Sequence, residues 1–249
     1  MAAKSSLMVK PMLLLLGLIG VSLNLLVFLD LPLLQRPISV RVLPPPPDDP
    51  TLRAAVYLVK VPDCAGLGVG QGTAFAVHDE YLVTCAHVVS AAHGCASGIQ
   101  VRSSAGLEQA AELVGYSEEK DLALLKVTSP PTEVLVLADS SLYEEADEVV
   151  RVFTVGFPLL GAASSEERSS FSGVGTVSGV ATGTDRLITS GLNVNPGNSG
   201  GPVLLEQEKL VLGVASAKLK PEIGEGIAYI VPSNAVKAFF RTATGEDLE

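Results

Sequence analysis

From residue 54 onward the chain is built of short β-branched runs, and this pattern limits the folds open to it more than any other feature. The runs are AAVYLVKV (54–61), GTAFAVH (72–78), YLVTCAHVV (81–89), DLALLKV (121–127), EVVRVFTVGF (148–157), KLVLGVAS (209–216) and GIAYIV (226–231), separated by Gly, Asn, Asp and Ser. Side chains branched at Cβ lose rotamer freedom in a helix and pack well on a pleated surface. Strands at this spacing, with few segments of 3.6-residue period, predict an all-β sandwich or barrel. His78 to Glu80 reads as the turn of a hairpin joining two of the runs. One short helix is expected at 234–240, with Ser233 as N-cap and Ala, Val and Phe along one face. No internal repeat is present.

The first fifty residues follow different physics. They hold eight of the sixteen prolines, four basic residues (Lys4, Lys10, Arg36, Arg41) and three acidic ones (Asp30, Asp48, Asp49). At 1.5 Å per residue, the uncharged run MLLLLGLIGVSLNLLVFL (12–29) approaches the roughly 30 Å hydrocarbon core of a bilayer. A retained membrane anchor competes with a signal peptide cleaved near Gly20 and Ser22. Such cleavage would leave LNLLVFL on the mature N-terminus, and no A-x-A follows Leu29, so the anchor is the favoured reading. Basic residues lie on both sides of the run, so the bias toward a cytoplasmic N-terminus is weak. The PPPP at 44–47, followed by Asp48, Asp49 and Pro50, excludes helix and central strand and reads as a stiff extended spacer.

Charge narrows the partners. The whole chain carries 17 Lys and Arg against 27 Asp and Glu, a net −10; since residues 1–50 net +1, residues 51–249 carry −11. No basic stripe is available to neutralise phosphates, so nucleic acid is not an expected partner. Three cysteines do not make a disulfide scaffold.

Three residues stand out as chemistry. His87 lies in VTCAHVV, Asp121 opens DLALLKV, and Ser199 lies in NPGNSGGPV, where Gly197, Gly200 and Gly201 let the backbone turn tightly. Acyl transfer by serine needs a hydroxyl, a neutral imidazole to take its proton, a carboxylate to fix the imidazole tautomer, and backbone donors for the oxyanion. His87, Asp121 and Ser199, spaced 34 and 78 residues apart, supply that set.

The blocks GTAFAVHDEYLVTCAHVV, DLALLKV, TVGFP, TVSG, TSGLNVNPGNSGGPVL, VLGVAS and GIAYIVPSNAV, in this order over nearly all of residues 54–240, resemble the trypsin-like serine endopeptidases of the HtrA/Deg type. The resemblance implies two packed six-stranded antiparallel β-barrels, here residues 51–130 and 131–249, behind an anchor at 1–30 and a Pro-rich linker at 31–50. It implies a catalytic triad of His87, Asp121 and Ser199 in the cleft between the barrels. Gly197, Asn198 and Ser199 would form the oxyanion hole, and Leu192, Val214, Ala215 and Ala217 would line the substrate pocket. Those side chains are small or apolar, so cleavage after small or medium aliphatic residues of unfolded or extended polypeptides is expected. No metal and no cofactor are implied.

The chain also departs from the family pattern. No PDZ domain is expected after the last family-like block, and the segment VATGTDRLI is shorter than the usual sensor loop. Gly191 stands where members often carry Asp. A homotrimer, a common assembly of the family, is carried over as an expectation only. The functional expectation is a membrane-tethered, extracytoplasmic protease of protein quality control; the alternatives are a catalytically silent domain that binds extended peptides, and a membrane-proximal scaffold.

Other chemistry-bearing residues have plainer readings. His78 and His93 fit solvated loops, and Cys85 fits a small buried hydrophobe, although strand alternation would place it on the same face as His87. Cys64 and Cys95 are either a disulfide or two free thiols. The acidic run Glu144, Glu145, Asp147 and Glu148 reads as a solvated face.

Overall fold

A computed structural model describes residues 49–62, 69–90, 98–144, 149–159, 169–171, 173–181, 185–218 and 226–248. The apolar run 12–29, most of the Pro-rich linker, Cys64, Cys95, His93 and the acidic residues Glu145, Asp147 and Glu148 lie outside them. Among the described residues no helix is long and apolar enough to cross a membrane.

The first barrel closes on itself. It is preceded by a one-turn helix α1 (Pro50–Ala54), whose N-cap Asp49 accepts from the Thr51 amide (3.0 Å), with proline at the first helical position. Its strands are β1 (Val56–Pro62), β2 (Val69–His78), β3 (Tyr81–Thr84), β4 (Ile99–Ser103), β5 (Glu108–Ser117) and β6 (Leu122–Val127). They pair in the order β1-β2-β3-β6-β5-β4, and closure removes every free edge. The expected hairpin is present: His78 pairs with Tyr81 across the Asp79–Glu80 turn.

The run 81–89 is not one strand. β3 ends at Thr84, Cys85 is still extended (φ −80°, ψ 146°), and a one-turn helix α2 (Ala86–Val89) follows. The strand alternation expected through His87 therefore fails. Cys85 is fully buried, whereas 48% of the His87 side chain is exposed.

Strands β7 (Arg151–Gly156), β8 (Ser170–Phe171), β9 (Gly175–Val180), β10 (Leu187–Ser190), β11 (Pro202–Leu205), β12 (Val211–Lys218) and β13 (Ile227–Pro232) form the second sheet. Its order is β11-β12-β13-β10-β9-β7-β8, and the β11–β7 pairing closes six of these strands into a ring with β8 appended to β7. The chain is thus all-β, with two closed antiparallel barrels.

A C-terminal helix α3 (Ser233–Thr244) overruns the expected 234–240 and ends at Gly245, left-handed at φ 81°. Ser233 is not its N-cap. That place is taken by Pro232, and the Ser233 hydroxyl donates instead to the buried Ala138 carbonyl (2.9 Å). Val236, Phe239 and Phe240 of α3 join the core of the first barrel, where Phe240 meets Tyr81 edge-on at 5.4 Å.

Candidate active site

A left-handed turn, a bulge and a left-handed glycine bring the chemistry to one place. Asp121 sits in the turn before β6 with φ 52°, a left-handed backbone that aspartate tolerates better than most side chains. From there its Oδ1 and Oδ2 lie 2.9 and 3.0 Å from His87 Nδ1, and Oδ1 also accepts from the His87 amide (3.1 Å). A carboxylate only accepts, so Nδ1 carries the proton and Nε2 is left with its lone pair. Burial pushes the Asp121 carboxyl up, but hydrogen bonds from the His87 ring, from Ser216 and from the His87 amide work against it, and the carboxyl rests below its ordinary value.

Ser216 is the extra residue of a bulge in β12. Ala215 pairs with Ile230 and Ala217 with Tyr229, so Ser216 is unpaired and re-aimed. Its hydroxyl donates to Asp121 Oδ2 (2.5 Å), and its carbonyl accepts from Ser199 Oγ (3.2 Å). The structure thus brings His87 and Asp121 together directly and links Ser199 to them through Ser216. Among the described residues no hydrogen bond joins Ser199 Oγ to the His87 ring. Catalytic contacts of this kind commonly tighten only when substrate is bound.

The loop before Ser199 is fixed by Thr73 of the first barrel. Thr73, fully buried on β2, donates from Oγ1 to the Gly197 carbonyl (2.6 Å), accepts from the Phe157 amide (3.0 Å), and donates from its own amide to the Ser199 carbonyl (2.9 Å). Gly197 has φ 93°, and a Cβ there would stand 2.3 Å from the Phe157 carbonyl oxygen, so only glycine fits. The Pro196 carbonyl accepts from the Leu159 amide (2.7 Å), which turns the Gly197 N–H of the same planar peptide away from Leu159. Among the described residues neither the Gly197 nor the Ser199 amide donates to a protein acceptor. The Asn198 amide, expected from the sequence as a further oxyanion donor, donates within the turn to the Asn195 carbonyl (2.9 Å).

A cleft of about 470 Å³ opens beside this cluster, lined by His87, Asp121, Ser216, Arg186, Tyr116 and Tyr229 among others. Three of the four residues expected to line a substrate pocket are buried. Leu192 is 3% exposed and Val214 and Ala215 are 0% exposed; Val214 packs in the first-barrel core, Leu192 and Ala215 in the second. Ala217 follows the bulge, with its backbone paired to Tyr229.

Cys85, His87 and Asp121 bring one potential ligand atom each within 4.8 Å of one another. The thiol donates to the Ala215 carbonyl (3.4 Å), and burial, then the charge of Asp121, push it well above its ordinary value. Both Asp121 oxygens are already engaged. A protonated thiol beside an occupied carboxylate is a poor metal donor and a poor nucleophile. Sequence reasoning passed over Thr73, Ser216 and Arg186, although GTAF and VLGVAS lie within the recognised blocks; neither the bulge nor the contact between barrels has a signal in one sequence.

Residues 72–214 match the family model described as a trypsin-like peptidase domain. The serine protease Do-like HtrA of Bacillus subtilis is 33% identical over 178 residues, covering 68% of this chain and 38% of that protein. The periplasmic pH-dependent serine endoprotease DegQ of Escherichia coli is 29% identical over 172 residues, covering 68% of this chain and 36% of its own length. The chain thus spans less than two-fifths of the length of both curated relatives. Among solved structures, the serine endoprotease from Yersinia pestis superposes with a TM-score of 0.60 at 23% identity, covering 78% of this chain and 64% of that one.

Proposed function

The chain belongs to the trypsin-like peptidases of the HtrA/Deg type, and from that premise we propose that it is a serine endopeptidase acting on unfolded or extended polypeptide segments. The observation that carries the reading is the His87 imidazole held by Asp121 at 2.9 and 3.0 Å, with Nε2 free beside an open cleft. In the proposed reaction Ser199 Oγ leaves the Ser216 carbonyl, passes its proton to Nε2 and attacks the scissile carbonyl carbon. The Gly197 and Ser199 amides receive the developing oxyanion. The imidazolium returns its proton to the leaving amine, and water hydrolyses the acyl-enzyme by the same base.

The apolar run 12–29 and the proline-rich spacer support a single membrane anchor that holds two barrels, 51–130 and 131–249, off the bilayer on the extracytoplasmic side. A quality-control role and a homotrimer belong to the same reading. The silent peptide-binding alternative has one observation in its favour, the Ser199 hydroxyl turned to Ser216 rather than to His87.

Hydrolysis of casein and of a fluorogenic peptide by the full chain in detergent, with Ser199→Ala as comparison, decides between them. Loss of a triad serine costs about 10⁶-fold in kcat in a model serine protease. Equal rates for the two proteins would overturn the triad, and a wild-type chain that a fluorophosphonate fails to label at Ser199 would favour the silent domain.

A further inference from the structure

Arg186 is a charged group at the site that the proposed reaction leaves unused. Half-buried at the start of the β10 hairpin arm, its guanidinium divides between two acceptors: Nη1 donates to Ser216 Oγ (2.9 Å) and Nη2 to the Lys120 carbonyl (3.3 Å). Lys120 immediately precedes Asp121, so the second contact grips the turn in which Asp121 is left-handed. The first contact sets a direction. A guanidinium has donors only and a hydroxyl has one proton. With Arg186 on its lone pair, Ser216 Oγ sends that proton to Asp121 Oδ2, 2.5 Å away.

We infer that Arg186 is a positioning residue: it fixes the Ser216 hydroxyl as a donor to Asp121 and straps the Asp121 turn of the first barrel to the second, keeping the carboxylate aimed at His87. The inference rests on Asp121 being the triad carboxylate. The charged and titratable groups around the pair are Asp185 and Arg186 just before β10, Glu118, Glu119 and Lys120 from the Asp121 turn, Tyr116 from β5, Tyr229 from β13 and Cys85 just before α2. Arg186 is the cation bonded to the hydroxyl that donates to Asp121, so its removal favours protonation of the dyad and moves the acid limb of activity to higher pH.

The test measures kcat and KM for a fluorogenic peptide from about pH 5 to about pH 9, on the full chain in detergent. The proteins are wild type, Arg186→Gln, Arg186→Lys, Ser216→Ala and the Arg186→Gln/Ser216→Ala double variant. Arg186→Gln is expected to lose roughly ten- to hundredfold in kcat, the scale of one charge-assisted hydrogen bond, with KM little changed. Its acid limb should rise by about half a pH unit. The loss should shrink on the Ser216→Ala background, since the hydroxyl that transmits it is gone. Arg186→Lys keeps the charge but not the fork: it should hold the wild-type acid limb and still lose kcat several-fold, and it decides the matter if Arg186→Gln does not fold. A wild-type kcat and acid limb in Arg186→Gln, wild-type kcat in Arg186→Lys, or a rise confined to KM would overturn the role. Fluorophosphonate labelling of wild-type Ser199 keeps this separate from the triad reading: an unlabelled wild type removes the protease itself, whereas a labelled one with an indifferent Arg186 removes only the strap.

Discussion

Thr73→Val separates shape from hydrogen bonding at the point where the first barrel holds the loop of Ser199. Valine keeps the volume and branching of threonine, so packing changes little, but the hydroxyl is lost. Two buried groups then lack a partner: the Gly197 carbonyl, 2.6 Å from Oγ1, and the Phe157 amide, 3.0 Å from it. An unsatisfied buried group costs about 1–3 kcal/mol, so the pair costs about 2–6 kcal/mol, with relaxation favouring the lower half, about 3 kcal/mol. For a folded region of roughly 200 residues this lowers Tm by about 6–12 °C. The Gly197 carbonyl also loses its anchor, so the loop carrying the free amides loosens, and fluorophosphonate labelling of Ser199 should slow by about tenfold or more. Thr73→Ser is the control. It keeps the hydroxyl and removes one methyl, which costs about 1 kcal/mol and leaves labelling near wild type. Thermal unfolding and labelling rates for both variants are the assay. A Thr73→Val protein that matches Thr73→Ser in midpoint and in labelling would refute the claim that this hydroxyl holds the loop.

Two further outcomes follow from packing and charge. Phe240→Ala removes a fully buried ring of α3 from the first-barrel core and should cost about 3–5 kcal/mol in urea unfolding, with Ser199 labelling retained below the transition; a loss under about 1 kcal/mol would mean that the helix is not part of that core. The Asp121 carboxyl is held below its ordinary value of 3.8, so the stability it contributes is complete above that pH and is lost as pH falls through the lower folded value. The stability gap between wild type and Asp121→Asn should therefore narrow below about pH 4; unfolding midpoints that stay parallel into that range would count against the assignment.

The barrels and the contact of His87 with Asp121 were legible because each is written locally: β-branched runs give strands, and the blocks around His87, Asp121 and Ser199 carry their residues in fixed order. What was missed depends on contacts distant in sequence. A helix of four residues leaves no periodic trace, so by pattern alone VTCAHVV reads as strand, with Cys85 on the face of His87. Ser233 had the chemistry of an N-cap, but a tertiary bond to Ala138 claimed its hydroxyl. The burial of Val214 and Ala215 has a related cause. β12 lies between two cores, with Val214 facing one and Ala215 the other, and the apolar run VLGVAS does not by itself tell those faces from an open one. The bulge at Ser216, which places that serine between Asp121 and Ser199, is set by pairing with β13 and by nothing in VLGVAS itself.

These contacts also explain how a reaction center can be split between two closed barrels. Each barrel satisfies most of its own backbone ladder, so the register of one against the other falls to side chains, loop carbonyls and a few amides such as those of Thr73 and Phe157. His87, Asp121 and Thr73 come from the first barrel, and Ser199, Ser216 and Arg186 from the second. The bonds Thr73 to Gly197, Ser216 to Asp121 and Arg186 to Lys120 all cross between them. Phe153, Val155, Val214 and Val231 of the second sheet add apolar contact by joining the first-barrel core. Apolar contact is non-directional and tolerates small shifts, whereas these hydrogen bonds fall off steeply with distance and angle. A slight slide of one barrel on the other would therefore cost little in packing and break the alignment of Asp121, His87 and the Ser199 loop, so chemistry in this architecture is more sensitive to the polar seam than folding is.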